Sequence, residues 1–141
     1  MQQPLVSSDI TLCSKNDFLI VKKLISDYCL DDNDLQPEQF LIAVVENKIA
    51  GFGRLRNYSV CSELCSLGVV EELRLKGIGS LLSHSLIAKN QLPLYTVTII
   101  PEFFEKFGFK LTESYPIEIE QKVKYCTSVL SVPEKYVVMK K

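Results

Sequence analysis

The sequence predicts an α/β (α+β) fold, with a central mixed, mostly antiparallel sheet flanked by helices. Two stretches near the middle of the chain carry that reading. Residues 40–46 and 49–56 are apolar β-type runs joined by the turn Asn47-Lys48, the pattern of an antiparallel hairpin. Residues 63–70 form a longer apolar run that leads through a glycine-bearing loop into a helix, and residues 95–100 form another strand beyond it. Strands joined first by a turn and then across a helix belong to one mixed sheet. Composition sets the scale. With 141 residues, 47% apolar and 23% charged, the chain makes one domain over 1–141 with a true core and is not disordered.

The elements follow in order. Residues 10–13 give a short first strand. Ser14 then caps a helix, with Asp17 three residues on, and Phe18, Val21, Leu24, Ile25 and Tyr28 recur at helical spacing. The acidic run Asp31-Asp32-Asn33-Asp34 lacks the glycine and distal glutamate of a calcium loop and reads as a solvated turn. After the hairpin come strand 63–70 and a helix from Gly77 to about residue 89. Residues 95–100 are β-branched and bracketed by Pro93 and Pro101, which marks a buried strand. Pro101 suits a first helical position and Gly108 a left-handed stop. Residues 117–125 predict a short helix and 136–139 a final strand.

Several function classes are excluded at this level. A net charge of −1 provides no global field for nucleic acid. No apolar run reaches membrane-spanning length, and the start of the sequence has neither a basic segment nor an apolar signal core; the expectation is a cytoplasmic protein without membrane contact. The five cysteines (Cys13, Cys29, Cys61, Cys65, Cys126) form no Cys-x-x-Cys spacing. Cys61 and Cys65 share one strand face, but two ligands do not make a zinc site, so no metal is expected and the thiols read as reduced and mostly buried. The single histidine, His84, lies off the Ile78, Leu82, Leu86 helix face and reads as a solvated surface residue.

One segment carries chemistry. Leu67, Gly68 and Val69 end an apolar strand, and a short turn leads into Arg74-Leu75-Lys76-Gly77-Ile78-Gly79-Ser80 at a helix start. Glycines there let backbone N–H groups converge on one point without side-chain obstruction. With the positive end of the helix dipole, those amides form an anion site suited to a pyrophosphate. The loop is not the nucleotide-triphosphate type, because Gly-x-x-x-x-Gly-Lys-Ser/Thr occurs nowhere in the chain. Nor is it the dinucleotide fingerprint, since Leu82 stands where a third glycine or alanine is needed.

The Arg74-x-x-Gly77-x-Gly79 loop after a valine-ended strand resembles the acetyl-CoA signature of the GNAT N-acetyltransferase superfamily. A second block, Phe103-Phe104-Glu105-Lys106-Phe107-Gly108-Phe109, resembles that family's Phe-Tyr-Glu-Lys-x-Gly-Phe, in the right order and at the right separation. Together they cover about residues 60–110. Glu63-Leu64-Cys65-Ser66-Leu67, the doubled Phe103-Phe104 and Cys126 resemble the N-acetylglutamate-synthase-like branch.

The resemblance implies a splay between the fourth and fifth strands that admits acetyl-CoA as acyl donor. Main chain at Leu67, Gly68 and Val69 would bond the pantetheine, and an N–H there would face the thioester carbonyl. Arg74, Leu75, Lys76, Gly77, Ile78, Gly79 and Ser80 would hold the pyrophosphate. Histone-acetylating members carry a catalytic glutamate on this strand, and Glu63-Leu64-x-x-x-x-Val69 matches its spacing. Glu63 is therefore the candidate base, a half-buried carboxylate with a pKa raised towards neutrality; an exposed strand glutamate and an anchor for the acceptor amine stay open as alternatives. The family's tyrosine that protonates the leaving thiolate is replaced by Phe104, which has no proton to give, and Tyr95, Tyr115 and Tyr125 are unranked substitutes.

The implied function is acetyl transfer from acetyl-CoA to a primary amine of a small metabolite such as an amino acid. A regulatory module that binds acetyl-CoA without turnover is one alternative, and a protein N-acetyltransferase is another. The partners implied are acetyl-CoA and a small amine, with a homodimer compatible.

Overall fold

A computed structural model describes residues 8–130 and 132–141. In chain order the elements are β1 (Asp9–Leu12), α1 (Lys15–Asp27), β2 (Phe40–Val45), β3 (Lys48–Asn57), β4 (Ser62–Val69) and α2 (Ile78–Lys89). They continue with β5 (Leu94–Thr98), α3 (Pro101–Glu105), β6 (Lys110–Leu111), α4 (Ile117–Val129) and β7 (Val137–Lys140). The strands form one sheet in the order β1-β2-β3-β4-β5-β7-β6. Every neighbouring pair is antiparallel except β4 and β5, which are parallel. This is the mixed, mostly antiparallel sheet the sequence predicts.

Local chemistry explains most element ends. At α1 the Ser14 hydroxyl accepts from the Asp17 amide at 3.0 Å, and the Asp17 carboxylate accepts from the Ser14 amide at 3.3 Å, a reciprocal capping box. The β2–β3 turn is centred one residue earlier than expected, on Glu46 and Asn47, with φ of 49° and 64°. A two-residue hairpin of this hand needs positive φ at both central positions, and asparagine accepts it readily. Pro101 starts α3, and Gly108 stops the following turn at φ 92°. Helix α4 runs four residues past its expected end, to Val129. The two-residue strand β6 was not foreseen; it is too short for a period-2 signal and exists through pairing with β7.

Strand alternation assigns the helices to faces. Leu41, Ala43, Leu55, Leu64, Leu94 and Met139 point to one face and pack with α2 and α3 through Ile78, Leu82, Leu86 and Phe104. Phe40, Ile42 and Phe52 point to the other and meet Val21 and Ile25 of α1. Cys61, Tyr95 and Val138 continue that second face and meet Ile119 of α4. Thus α1 and α4 share the face that also receives Arg54, Glu63 and Cys65. No described helix is long and apolar enough to cross a membrane. Four cysteines are buried and Cys29 is exposed.

Candidate active site

The site begins with a defect in the sheet. Phe52 faces Gly68 but Arg54 faces Cys65, so β4 bulges around Ser66, whose φ is 48°. The Ser66 hydroxyl holds the bulge by donating to the Asp31 carbonyl at 3.0 Å. Strand β4 pairs with β5 only at Ser62–Leu94 and Glu63–Tyr95. Thr96 adds a side-chain bond to the Leu64 carbonyl at 2.8 Å, and beyond it the strands fork. The expected splay is therefore present. Along the fork, Leu67–Val69 have no ladder partner on the β5 side, which leaves main-chain groups for a ligand. Gly68 is also fixed by packing: a Cβ there would fall 2.6 Å from the Phe52 ring.

A cleft of about 490 Å³ starts at this edge. Leu67, Gly68, Val69, Arg74, Leu75, Gly77, Ile78, Gly79 and Ser80 line it. Gly77 caps α2 in the left-handed conformation, φ 86°, and Gly77 to Ser80 line the cleft at a helix start, where the first amides have no intrahelical partner. A Cβ on Gly79 would sit 3.5 Å from Phe103, so there is room for one in this structure; a hydrogen there keeps the path to the amides open. Arg74 donates from Nε to the Val69 carbonyl at 2.9 Å, and its guanidinium lies 4.8 Å from the Tyr28 ring centroid. Lys76 is half-buried and absent from the wall. Four wall residues escaped the sequence reading of the site: Leu73, Ile100, Phe103 and Lys106. Lys106 donates to the Ser80 hydroxyl at 2.8 Å, which places a second cation at the loop. Its signal was its place in the Phe-x-Glu-Lys block.

Leu67 and Ile100 are shared with a second cavity of about 230 Å³ inside the fork. Helix α1 and its C-terminal turn contribute Tyr28, Cys29 and Leu30, β4 contributes Leu64–Leu67, β5 and its exit contribute Thr96–Ile100, and Phe104, Val132 and Tyr136 close it. Phe104 is 4% exposed and packs edge-on against Phe103 and Phe109. None of Tyr95, Tyr115 and Tyr125 lines this cavity; the tyrosines that do are Tyr28 and Tyr136. Burial, then the nearby Cys126 thiol, raises the Tyr136 phenol above its ordinary value, so it stays protonated at neutral pH.

Behind the cavity wall lies a buried ionic cluster. Glu63 is 0% exposed. Its Oε1 accepts from the Tyr58 hydroxyl at 2.9 Å and its Oε2 from Lys122 Nζ of α4 at 2.5 Å. Lys122 Nζ also sits 2.7 Å from Asp31 Oδ2, a second buried ion pair. Burial, the largest single influence, opposes the ammonium, but Glu63, Cys65 and Asp31 together outweigh it and hold Lys122 well above 10.5. Burial and Glu63 likewise push Tyr58 upwards, and burial followed by Glu63 pushes the Cys65 thiol to about 12.

Two expectations are corrected here. Glu63 is not half-buried in the cleft; it is enclosed, paired and absent from the walls of both cavities. Asp31 is not a solvated turn residue but 4% exposed, because Lys122 compensates it. The rest of that acidic loop is held as firmly. Fully buried Arg54 donates to the Asn33 and Asp34 carbonyls at 3.1 and 2.6 Å and to Gln39 at 2.7 Å, and Tyr125 bonds Asp32.

A helix-start anion loop joined to a strand fork with unpaired main chain is the architecture of an acetyl-CoA-dependent N-acetyltransferase. A family profile described as the acetyltransferase (GNAT) domain matches residues 36–111, and the chain belongs to that family. Among solved structures it is similar to Rv2747 from Mycobacterium tuberculosis, in complex with CoA, with a TM-score of 0.76 at 19% identity over 94% of this chain and 97% of that one. N-acetylglutamate synthase from Neisseria gonorrhoeae, complexed with coenzyme A and L-arginine, gives 0.75 at 17% identity over 94% of this chain and 33% of that one. Arabidopsis thaliana Naa50, with the bisubstrate analogue CoA-Ac-MVNAL, gives 0.68 at 19% identity over 96% and 99%. No curated protein matches by sequence.

Proposed function

We propose that this protein transfers acetyl from acetyl-CoA to the primary amine of a small metabolite, with an amino-acid-like acceptor as the best fit. The adjacency of the two cavities, which share Leu67 and Ile100 in their walls, carries the reading. Donor and acceptor would meet where the β4 edge offers free main chain. The coenzyme pyrophosphate would lie on the α2 amides between Gly77 and Ser80, with Arg74 and Lys106 as flanking cations. Pantetheine would run along Leu67, Gly68 and Val69, and an N–H of that edge would stabilise the tetrahedral oxyanion, the larger share of the barrier reduction in acyl transfer. The structures described with coenzyme A bound, all under 20% identical, support the location by fold.

The proton steps follow from the surroundings. Tyr136, protonated at neutral pH and in the cavity wall with Phe104, is the phenol placed to serve a departing thiolate. Glu63 acts as a positioning residue: it holds Lys122, and through it α4 and the acidic loop, against the cavity wall. Thiol release monitored with acetyl-CoA and a panel of primary amines tests the function. Turnover with a small amine is expected. Tight acetyl-CoA binding without turnover on any amine would instead identify a regulatory module, and turnover confined to peptides would identify a protein acetyltransferase.

A further inference from the structure

Resting on that reading, we infer that the fork cavity selects an acceptor whose substituent next to the amine is uncharged and apolar, and that it rejects acidic amino acids. Among the described residues the cavity wall is Tyr28, Cys29, Leu30, the 64–67 segment, the 96–100 segment, Phe104, Val132 and Tyr136, with no aspartate, glutamate, lysine, arginine or histidine. Its serine and threonine hydroxyls are engaged, and the remaining polar groups, the Tyr28 and Tyr136 hydroxyls, are neutral. Ser66 donates to the Asp31 carbonyl, Thr96 donates to the Leu64 carbonyl, and Thr98 accepts from the Ile100 amide. The thiol of Cys65 stays neutral.

The charged groups nearby face away from an acceptor. Arg54 is spent on Gln39 and two loop carbonyls and Lys122 on Glu63 and Asp31, while Arg74 lies outside the fork wall, in the coenzyme cleft on the far side of the Tyr28 ring. A side-chain carboxylate brought into the fork would lose its water and find no cation, which is strongly unfavourable. An apolar substituent would gain from the same wall.

Geometry also decides which reactant supplies that substituent. The thioester would arrive from the side of Leu67 and Ile100, the wall residues the two cavities share. The wall also holds exposed Cys29 and half-buried Val132 and Tyr136; an amine entering past them would place its own substituent in the fork. At about 30 Å³ per water-sized volume, 230 Å³ holds the acetyl group, the amine and a medium aliphatic side chain.

The test uses the full chain with acetyl-CoA and matched amines: leucinamide, methioninamide, glutamate, glutamate amide and lysinamide. The kcat/KM for the two apolar amides should exceed that for either acidic acceptor by on the order of a hundredfold, the cost of an unpaired buried charge. Cys29→Arg, which adds a cation at an exposed wall position, should raise kcat/KM for glutamate about tenfold or more. Equal or better use of glutamate by the parent overturns the inference while the acetyltransferase reading survives. So does indifference to the amine combined with butyryl-CoA turnover matching acetyl-CoA, because the acyl chain would then fill the fork. Where no amine turns over, calorimetry on the CoA complex still decides. N-acetyl-leucinamide binding more tightly than N-acetylglutamate supports the inference, and the reverse overturns it.

Discussion

The coenzyme loop, which follows strand β4, and the ionic cluster, which takes Glu63 from the start of that strand, are built on opposite principles. The loop works with main-chain amides at a helix start, exposed to solvent and set by a few neighbouring residues, Arg74 to Ser80. The cluster works with side chains from three distant segments, Asp31, Glu63 and Lys122, all below 7% exposure. Losing one member of the loop weakens a ligand contact. Losing one member of the cluster strands a buried charge. The first region should therefore fail in function and the second in stability.

The largest effect expected from this contrast is at Lys122. Lys122→Met leaves Glu63 and Asp31 buried without a cation and should cost about 3–5 kcal/mol in denaturant unfolding, while a stably folded remainder still binds acetyl-CoA. Loss of less than about 1 kcal/mol would place the cluster among the weak surface pairs. The pH dependence sharpens the same point. The folded pKa of Lys122 is raised, so its stabilisation is fully present below the unfolded value near 10.5 and is lost as pH rises through the higher folded value. The titration of Lys122 itself should thus leave the parent–variant difference unchanged from pH 6 to 9 and shrink it in strong alkali, while protonation of the carboxylates stranded in the variant should shrink it towards acid, as read by unfolding at a series of pH values.

Glu63→Gln comes next and divides the two regions most directly. It keeps the shape but removes the charge facing Lys122, so a loss of about 1.5–3 kcal/mol in stability is expected. The ascending limb of the kcat/KM pH profile should stay in place. A base would behave differently: turnover would fall by roughly two to four orders of magnitude and that limb would move. Such a result would return Glu63 to the reaction itself.

Replacing Gly77 and Gly79 together with valine should break the loop side of the comparison. Acetyl-CoA affinity by calorimetry should fall by roughly ten- to a hundredfold, the worth of one charge-assisted amide contact. Valine at Gly77, where φ is 86°, also strains the backbone, so the affinity is compared on the folded fraction. An unchanged affinity in the folded double variant would remove the pyrophosphate from this loop.

The smallest effect is expected at Phe104, which touches the fork from the packed side. Phe104→Tyr adds a hydroxyl to a ring packed among Phe103 and Phe109, so the rate should change by less than about threefold while stability drops by about 1 kcal/mol. A tenfold or greater gain in turnover would show that the missing hydroxyl limits thiolate departure.

What the sequence made legible is local. Ser14 with Asp17 gave the helix start, Pro101 and Gly108 bounded α3 and its turn, and Gly77-Ile78-Gly79 after a valine-ended strand marked the anion loop. In each case the physics acts within about four residues, through caps, fixed φ or a helix dipole, so the chain carries its own signal. Tertiary structure alone decided the rest. It joined Asp31, Glu63 and Lys122 across 91 residues of chain (122 minus 31), brought Lys106 to Ser80, and put Tyr136 rather than Tyr95, Tyr115 or Tyr125 beside Phe104. The Asp31–Asp34 run looks solvated in sequence because nothing nearby neutralises it; its cation comes from a helix on the shared face of the sheet. Buried charge is decided by the partner that folding supplies, and no spacing rule connects a loop, a strand and a helix that meet only through the sheet between them.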